Sequence, residues 1–303
     1  MRIVSLLPSA TEIVYAFGLG GDLEGVTDEC DFPPEAVSKP VASRSALQGR
    51  PLPARGIDEV VRDRMDAQSP LYLLDKALIQ RIQPDVILTQ DLCRVCAVPS
   101  GQVEEALAEL GTSAQVLSLD PHSLEQIAES ILTVGRELGA GERAEELAAS
   151  MRARIEAVRR TALRLPTLRA FCLEWSDPPF AAGHWVPEMV EVAGGTNLLS
   201  EKEQPSKLVR WRDIRDAGPE VVIFMPCGYY LEDAEEEGRA LYLNAEFAET
   251  PAARERNVFA VDATSHFSRP GPRIVDGLEV LAWAIHPDAF PEPPADRITR
   301  LVG

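Results

Sequence analysis

RIVSLLPSATEIVYAFGLG, residues 2–20, holds the reading of the fold. Arg2–Leu7 is a short apolar run of strand character that stops at Pro8. Ser9, with Glu12 three residues on, has the spacing of a capping box and opens a helix to about Phe17. Gly18, Gly20 and Gly21 end that helix, because glycine takes the left-handed conformation a helix terminus needs. Strand, capped helix and glycine exit together make the opening unit of an α/β fold.

The same alternation continues outward. Leu23–Thr27 reads as a second strand, followed by the turn Asp31-Phe32-Pro33-Pro34. Asp75–Ile82 reads as an amphipathic helix, PDVILT as a buried strand entered through Pro84, Gln102–Leu110 as a helix and Gln115–Leu119 as a strand. Ser123 and Gln126 have capping-box spacing, and from there to Leu163 the pattern is helical, with one break at Gly139-Ala140-Gly141. Within Glu142–Leu163, Leu147, Met151, Ile155 and Val158 recur at spacings of three and four, which marks one face of a long helix. A second series follows Pro166, with strands at Arg169–Trp175, Glu220–Met225 and Val258–Val261. Its helices fall near Val186–Ala193, Leu231–Glu249 and Arg273–Ile285. The expected organisation is an α/β lobe at 1–120, a helical region with a bridging helix at 121–166 and a second α/β lobe at 167–303. Both sheets are expected to be mainly parallel.

Composition narrows the function. The 303 residues are 45% apolar, enough for a real core, and the net charge is −18. Nucleic acid and anionic membrane surfaces need clustered cations, so neither is an expected partner. The apolar stretch Ile3–Leu7 is too short for a signal peptide, and no window reaches the ~18 apolar residues of a membrane span. As written, the chain is expected to be cytoplasmic and without membrane insertion; a removed leader would make it exported. No GxSxG, HExxH, Walker loop or strand-linked GxGxxG is present, so no catalytic residue is assigned.

The cysteines leave alternatives open. They number five, Cys30, Cys93, Cys96, Cys172 and Cys227, and an odd count in a large chain argues against a disulfide scaffold. Cys93 and Cys96 form a C-x-x-C pair just past the strand PDVILT. With Cys30 and Cys227, and with His266, they could ligate zinc or an iron–sulfur cluster; buried packing thiols or redox chemistry are the other readings. Cys172 sits inside a strand and reads as core.

RIVSLLPSATEIVYAFGLG, GVTDECDFPPEA and QPDVILTQ in the first half, with DPPFAAGHWVPEMVEVAGGTNLL, Trp211 and SHFSRPGPRIVDGLEVLAWAIHP in the second, resemble one family along nearly the whole chain. These stretches are similar to the class III substrate-binding proteins of ABC importers, among them the vitamin B12-binding proteins. The resemblance implies two Rossmann-like lobes joined by a bridging helix, a ligand cleft between them, and an ABC permease as partner. Ligands of open parallel sheets lie beyond the carboxyl ends of the strands. The loops there carry Pro8-Ser9, Asp28–Asp31, Gln90–Cys96, Trp175–Phe180, Cys227–Tyr230 and Thr264–Arg269. Phe180 and Trp211 match aromatic positions of the B12-binding members, whereas Glu29 and Gln90 stand where those carry aromatic residues. Asp75 and Asp213 lie near the acids that pair with permease arginines in the family.

The expected ligand contacts are Ser9, Asp28, Glu29 and Gln90 from the first lobe, and Trp175, Phe180, His184, Trp185, Trp211, Tyr229, His266 and Arg269 from the second. The expected ligand is cobalamin or a related corrinoid, held by a protein of the importer type or a cytosolic variant of it. The alternative is a cytosolic metal- or Fe–S-binding protein or enzyme on the same scaffold, using Cys30, Cys93 and Cys96.

Overall fold

Pro8 starts the first helix. It occupies the N1 position, where its fixed φ suits the helix and its missing N–H costs no hydrogen bond. The N-cap is therefore extended Leu7, and Ser9 and Glu12 are buried inside the helix rather than forming a capping box. The C-terminus closes as a Schellman motif: Gly18, at φ +71°, donates to the Tyr15 carbonyl at 2.8 Å and Leu19 to that of Val14 at 3.0 Å.

The computed structural model describes residues 1–47, 53–67, 69–92 and 97–302. These fall into two compact units, Met1–Pro121 with Ile127–Ala149, and His122–Gln126 with Ser150–Gly303. The first unit runs β1 (Ile3–Ser5), α1 (Pro8–Ala16), β2 (Leu23–Thr27), β3 (Val41–Ser45), α2 (Ala54–Asp66), β4 (Tyr72–Leu74), α3 (Lys76–Ile82), β5 (Val86–Thr89), α4 (Ser100–Leu110), β6 (Gln115–Ser118) and, from Ile127 on, α5 (Leu124–Glu137). α6 (Gly141–Ala162) begins in the first unit and ends in the second. The second unit continues with β7 (Leu168–Ser176), β8 (Pro179–Ala181), α7 (Val186–Val192), β9 (Gly195–Asn197), β10 (Lys207–Leu208), α8 (Trp211–Ala217), β11 (Val221–Phe224) and α9 (Leu231–Arg239). It closes with α10 (Ala245–Ala248), α11 (Pro251–Arg254), β12 (Val258–Val261), α12 (Ala263–His266), α13 (Ile274–Ile285) and β13 (Ile298–Arg300).

The first sheet has the order β4-β3-β2-β1-β5-β6 and is parallel except for β4. Its order reverses between β1 and β5, whose carboxyl ends are level, Ser5 standing opposite Leu88. Val4, Ile87, Leu78, Ile79 and Val103 pack one face of it. The second sheet has the order β10-β8-β7-β11-β12-β13, with β9 beside the start of β7. Its centre, β7-β11-β12, is parallel, and β8, β10 and β13 are antiparallel additions at the edges. Phe171, Phe224, Val222, Val258 and Phe247 fill the core beneath.

Along α6, Ala144, Ala148, Met151, Ile155, Val158 and Ala162 are buried, a stripe of alternating four and three. Its second half is tied to α13, where Arg154 donates to Asp276 at 2.6 Å and to Glu279 at 2.7 and 2.9 Å. The helix expected over Leu231–Glu249 is instead broken into α9, a 3-10 turn at Ala240–Leu243 and α10. The break is chemical: the Asn244 side chain accepts from Glu246 and Phe247 N–H and starts a new helix. Ser123 does accept from Gln126 N–H at 3.2 Å, but the Gln126 side chain accepts from His122 N–H, one residue outside a regular capping box. No helix among the described residues is long and apolar enough to cross a membrane.

Candidate functional site

The carboxyl edge of the first sheet carries four of the expected contacts, each held by its own unit. Ser9 and Gln90 are buried, 2% and 5% exposed. The Asp28 carboxylate accepts from Ser45 N–H at 3.1 and 3.2 Å and from the Thr27 hydroxyl at 3.3 Å. Glu29 accepts the Tyr72 hydroxyl at 3.1 Å. Cys30 is buried and shares a hydrogen bond with Thr11 at 3.0 Å. Beyond β5, Asp91 accepts from Ser100 N–H and from the Ser118 hydroxyl, each at 2.9 Å, and the Thr89 hydroxyl bonds the Val98 carbonyl. These bonds pin the base of the loop after β5. Cys93 and Cys96, within that loop, lie outside the described residues.

The corresponding edge of the second sheet is aromatic. Trp175 and Phe180 are register partners in the β7–β8 pair. The Tyr229 ring meets Trp175 edge-on, centroids 5.6 Å apart and planes at 81°. The Tyr229 carbonyl accepts Thr264 N–H at 3.1 Å, which fixes α12 beside that pair. Asp262 caps α12 by accepting Ser265 N–H at 2.9 Å. His266 therefore ends a short helix and is 6% exposed, where the sequence placed it at a strand tip. Arg269 is buried and engaged by a partner. Trp185 is 5% exposed and its indole N–H donates to the Phe267 carbonyl at 2.9 Å, so it is built into the unit. His184, at φ +54°, stacks obliquely between Trp185 and His122, with centroids at 5.7 and 5.8 Å. Trp211 stands apart on α8, edge-on to Phe247 at 5.9 Å and packed on the core.

Two carboxyl groups stand at this edge. Glu237 on α9 accepts the Ser176 hydroxyl, and the Tyr229 phenol is pushed up by burial and by Glu237 and Asp233. Glu174 accepts the Ser206 hydroxyl at 2.6 Å, and burial raises its carboxyl above the usual range. Burial lowers His184, helped by His122, and lowers His266, with Asp262 opposing. Glu237 gave no signal in the sequence, because a run such as LEDAEEEGR has the composition of a solvated helix face.

The metal expectation finds no support here. Among the described residues no three His, Cys, Asp or Glu side chains are placed to hold an ion. Cys30 is engaged by Thr11, and Cys227 is an exposed thiol in the second unit.

Residues 3–264 match the family pattern described as periplasmic binding protein. The chain is 26% identical over 283 residues to the vitamin B12-binding protein of Vibrio cholerae, covering 92% of this chain and 86% of that one. It is 24% identical over 297 residues to the ABC transporter substrate-binding lipoprotein YvrC of Bacillus subtilis, covering 96% and 82%. Among solved structures, the periplasmic heme-binding protein RhuT of Roseiflexus sp. RS-1 superposes with a TM-score of 0.70 at 25% identity, covering 95% and 98%. A cytosolic variant is not supported: a periplasmic family and a lipoprotein relative point to the exported alternative.

Proposed function

Because the chain belongs to the periplasmic binding protein family, we propose that it captures a corrinoid, cobalamin or a close relative, for uptake. At the coarser level it is a substrate-binding protein of ABC importers, a small-molecule binder that works with a permease. The observation that carries the corrinoid reading is the match to a vitamin B12-binding protein along 92% of the chain. The aromatic group Trp175, Phe180 and Tyr229 supports it, since stacked and edge-on rings suit a large flat ligand. His184, Trp185, Trp211, His266 and Arg269 are further proposed contacts in the second unit, and Ser9, Asp28, Glu29 and Gln90 in the first.

Equilibrium titration of the purified protein with cobalamin, followed by absorbance and calorimetry, tests this. Binding tighter than ~10 μM is expected, with Trp175→Ala weakening it about tenfold or more. Absence of binding at that concentration overturns the corrinoid reading. Tight binding of hemin in its place would move the assignment to heme, the ligand in the name of the Roseiflexus relative.

A further inference from the structure

Two buried hydrogen-bond groups beside Tyr229 are unused by the fold. The Trp175 indole N–H, which can only donate, has no partner among the described residues. The Thr264 hydroxyl is in the same position, on a residue 8% exposed. Buried polar groups are rarely left so, because stranding a donor forfeits its hydration with no return. The two belong to one cluster: the Tyr229 ring lies 5.6 Å from Trp175, and the Tyr229 carbonyl holds Thr264 N–H at 3.1 Å.

A carboxylate borders the same cluster. Glu237 accepts the hydroxyl of Ser176, which follows Trp175 in the chain, and its charge acts on the Tyr229 phenol. It has no cationic partner among the described residues. The cluster thus offers donors from Trp175 and Thr264 and an uncompensated anionic acceptor in Glu237. A ligand carboxylate presents acceptors only and adds a like charge. A primary carboxamide presents a carbonyl to the two donors and an N–H₂ to the acceptor.

We propose that Trp175, Thr264 and Glu237 form a recognition site for an uncharged primary carboxamide on the ligand's periphery and discriminate against a carboxylate there. This deepens the corrinoid reading and rests on it. The site would select an amidated macrocycle over an acid-bearing one of the same shape.

The test uses the intact protein and two probes at neutral pH: a corrin ring carrying primary carboxamides, and the same ring with free carboxylates. The amide ring is expected to bind about tenfold tighter or better. Glu237→Gln, nearly isosteric, should narrow that preference severalfold by gaining the acid ring. Trp175→Phe, which keeps an aromatic ring and removes the N–H, and Thr264→Val should each weaken the amide ring severalfold. Circular dichroism and thermal melts confirm that each variant is folded. Equal or tighter binding of the acid ring, or a preference untouched by Glu237→Gln in a folded protein, overturns the carboxamide site alone. Failure of both rings to bind overturns the corrinoid reading beneath it.

Discussion

Gly277 shows how little tolerance single positions have. A Cβ placed there would stand 2.1 Å from the His266 carbonyl oxygen, so α13 and α12 approach backbone to backbone only because the residue is glycine. Gly183 is as tight, with the Gln204 carbonyl oxygen 2.4 Å from a built Cβ. Gly277→Ala is expected to destabilise by about 1–3 kcal/mol, as overpacking of a filled core does. Urea unfolding should show a lower midpoint at unchanged slope. A midpoint equal to that of the parent would mean that the two helices separate at no cost. The displaced element is the one that carries Thr264 and His266, so ligand affinity should fall as well.

Among the elements, α3 and α8 carry the two acids proposed to meet a permease, and their local chemistry differs. Asp75 is the N-cap of α3 and accepts Leu78 N–H at 2.8 Å. Asp213 lies in the first turn of α8, where Arg210 donates to it twice at 2.7 Å and holds its carboxyl below the ordinary range. A permease arginine would have to compete with Arg210 for Asp213 and would find Asp75 without a salt bridge among the described residues. Asp75→Asn should therefore reduce transport or permease ATPase stimulation more than Asp213→Asn, both leaving cobalamin affinity unchanged. The reverse order would place the principal contact on α8. The continuous apolar runs were the legible ones: β2 and β12 have the bounds Leu23–Thr27 and Val258–Val261 read from them. α2, β3, β4, β8, β9, β10 and β13 were not read. Those strands are short and are placed by pairing with neighbours. Thr250-Pro251, a cap followed by an N1 proline, did carry a signal for α11. The edge-on pairing of Trp175 with Tyr229 was not legible, because it joins the end of β7 to the loop after β11, distant in sequence.

The whole molecule divides its titration unevenly. All four histidines, His122, His184, His266 and His286, lie in the second unit. Burial lowers His184, His266 and His286. A histidine lowered in the fold is protonated more readily when unfolded. Its contribution is therefore full above the unfolded value of about 6.5 and is lost as pH falls through that value toward the folded one. Calorimetric scans from pH 7 to 5 should shift the unfolding of the second unit downward and leave that of the first nearly in place. Uniform shifts of both would show that carboxylates, rather than these imidazoles, govern the response.

Neither compact unit is an unbroken stretch of chain, since Ile127–Ala149 returns to the first after His122–Gln126 has joined the second. A nascent polypeptide leaving the ribosome therefore cannot finish its leading half until Ala149 has cleared the exit tunnel. Gene fragments cut at Pro121 would yield a half-built body lacking α5, prone to clump, and no shortcut to isolating either half.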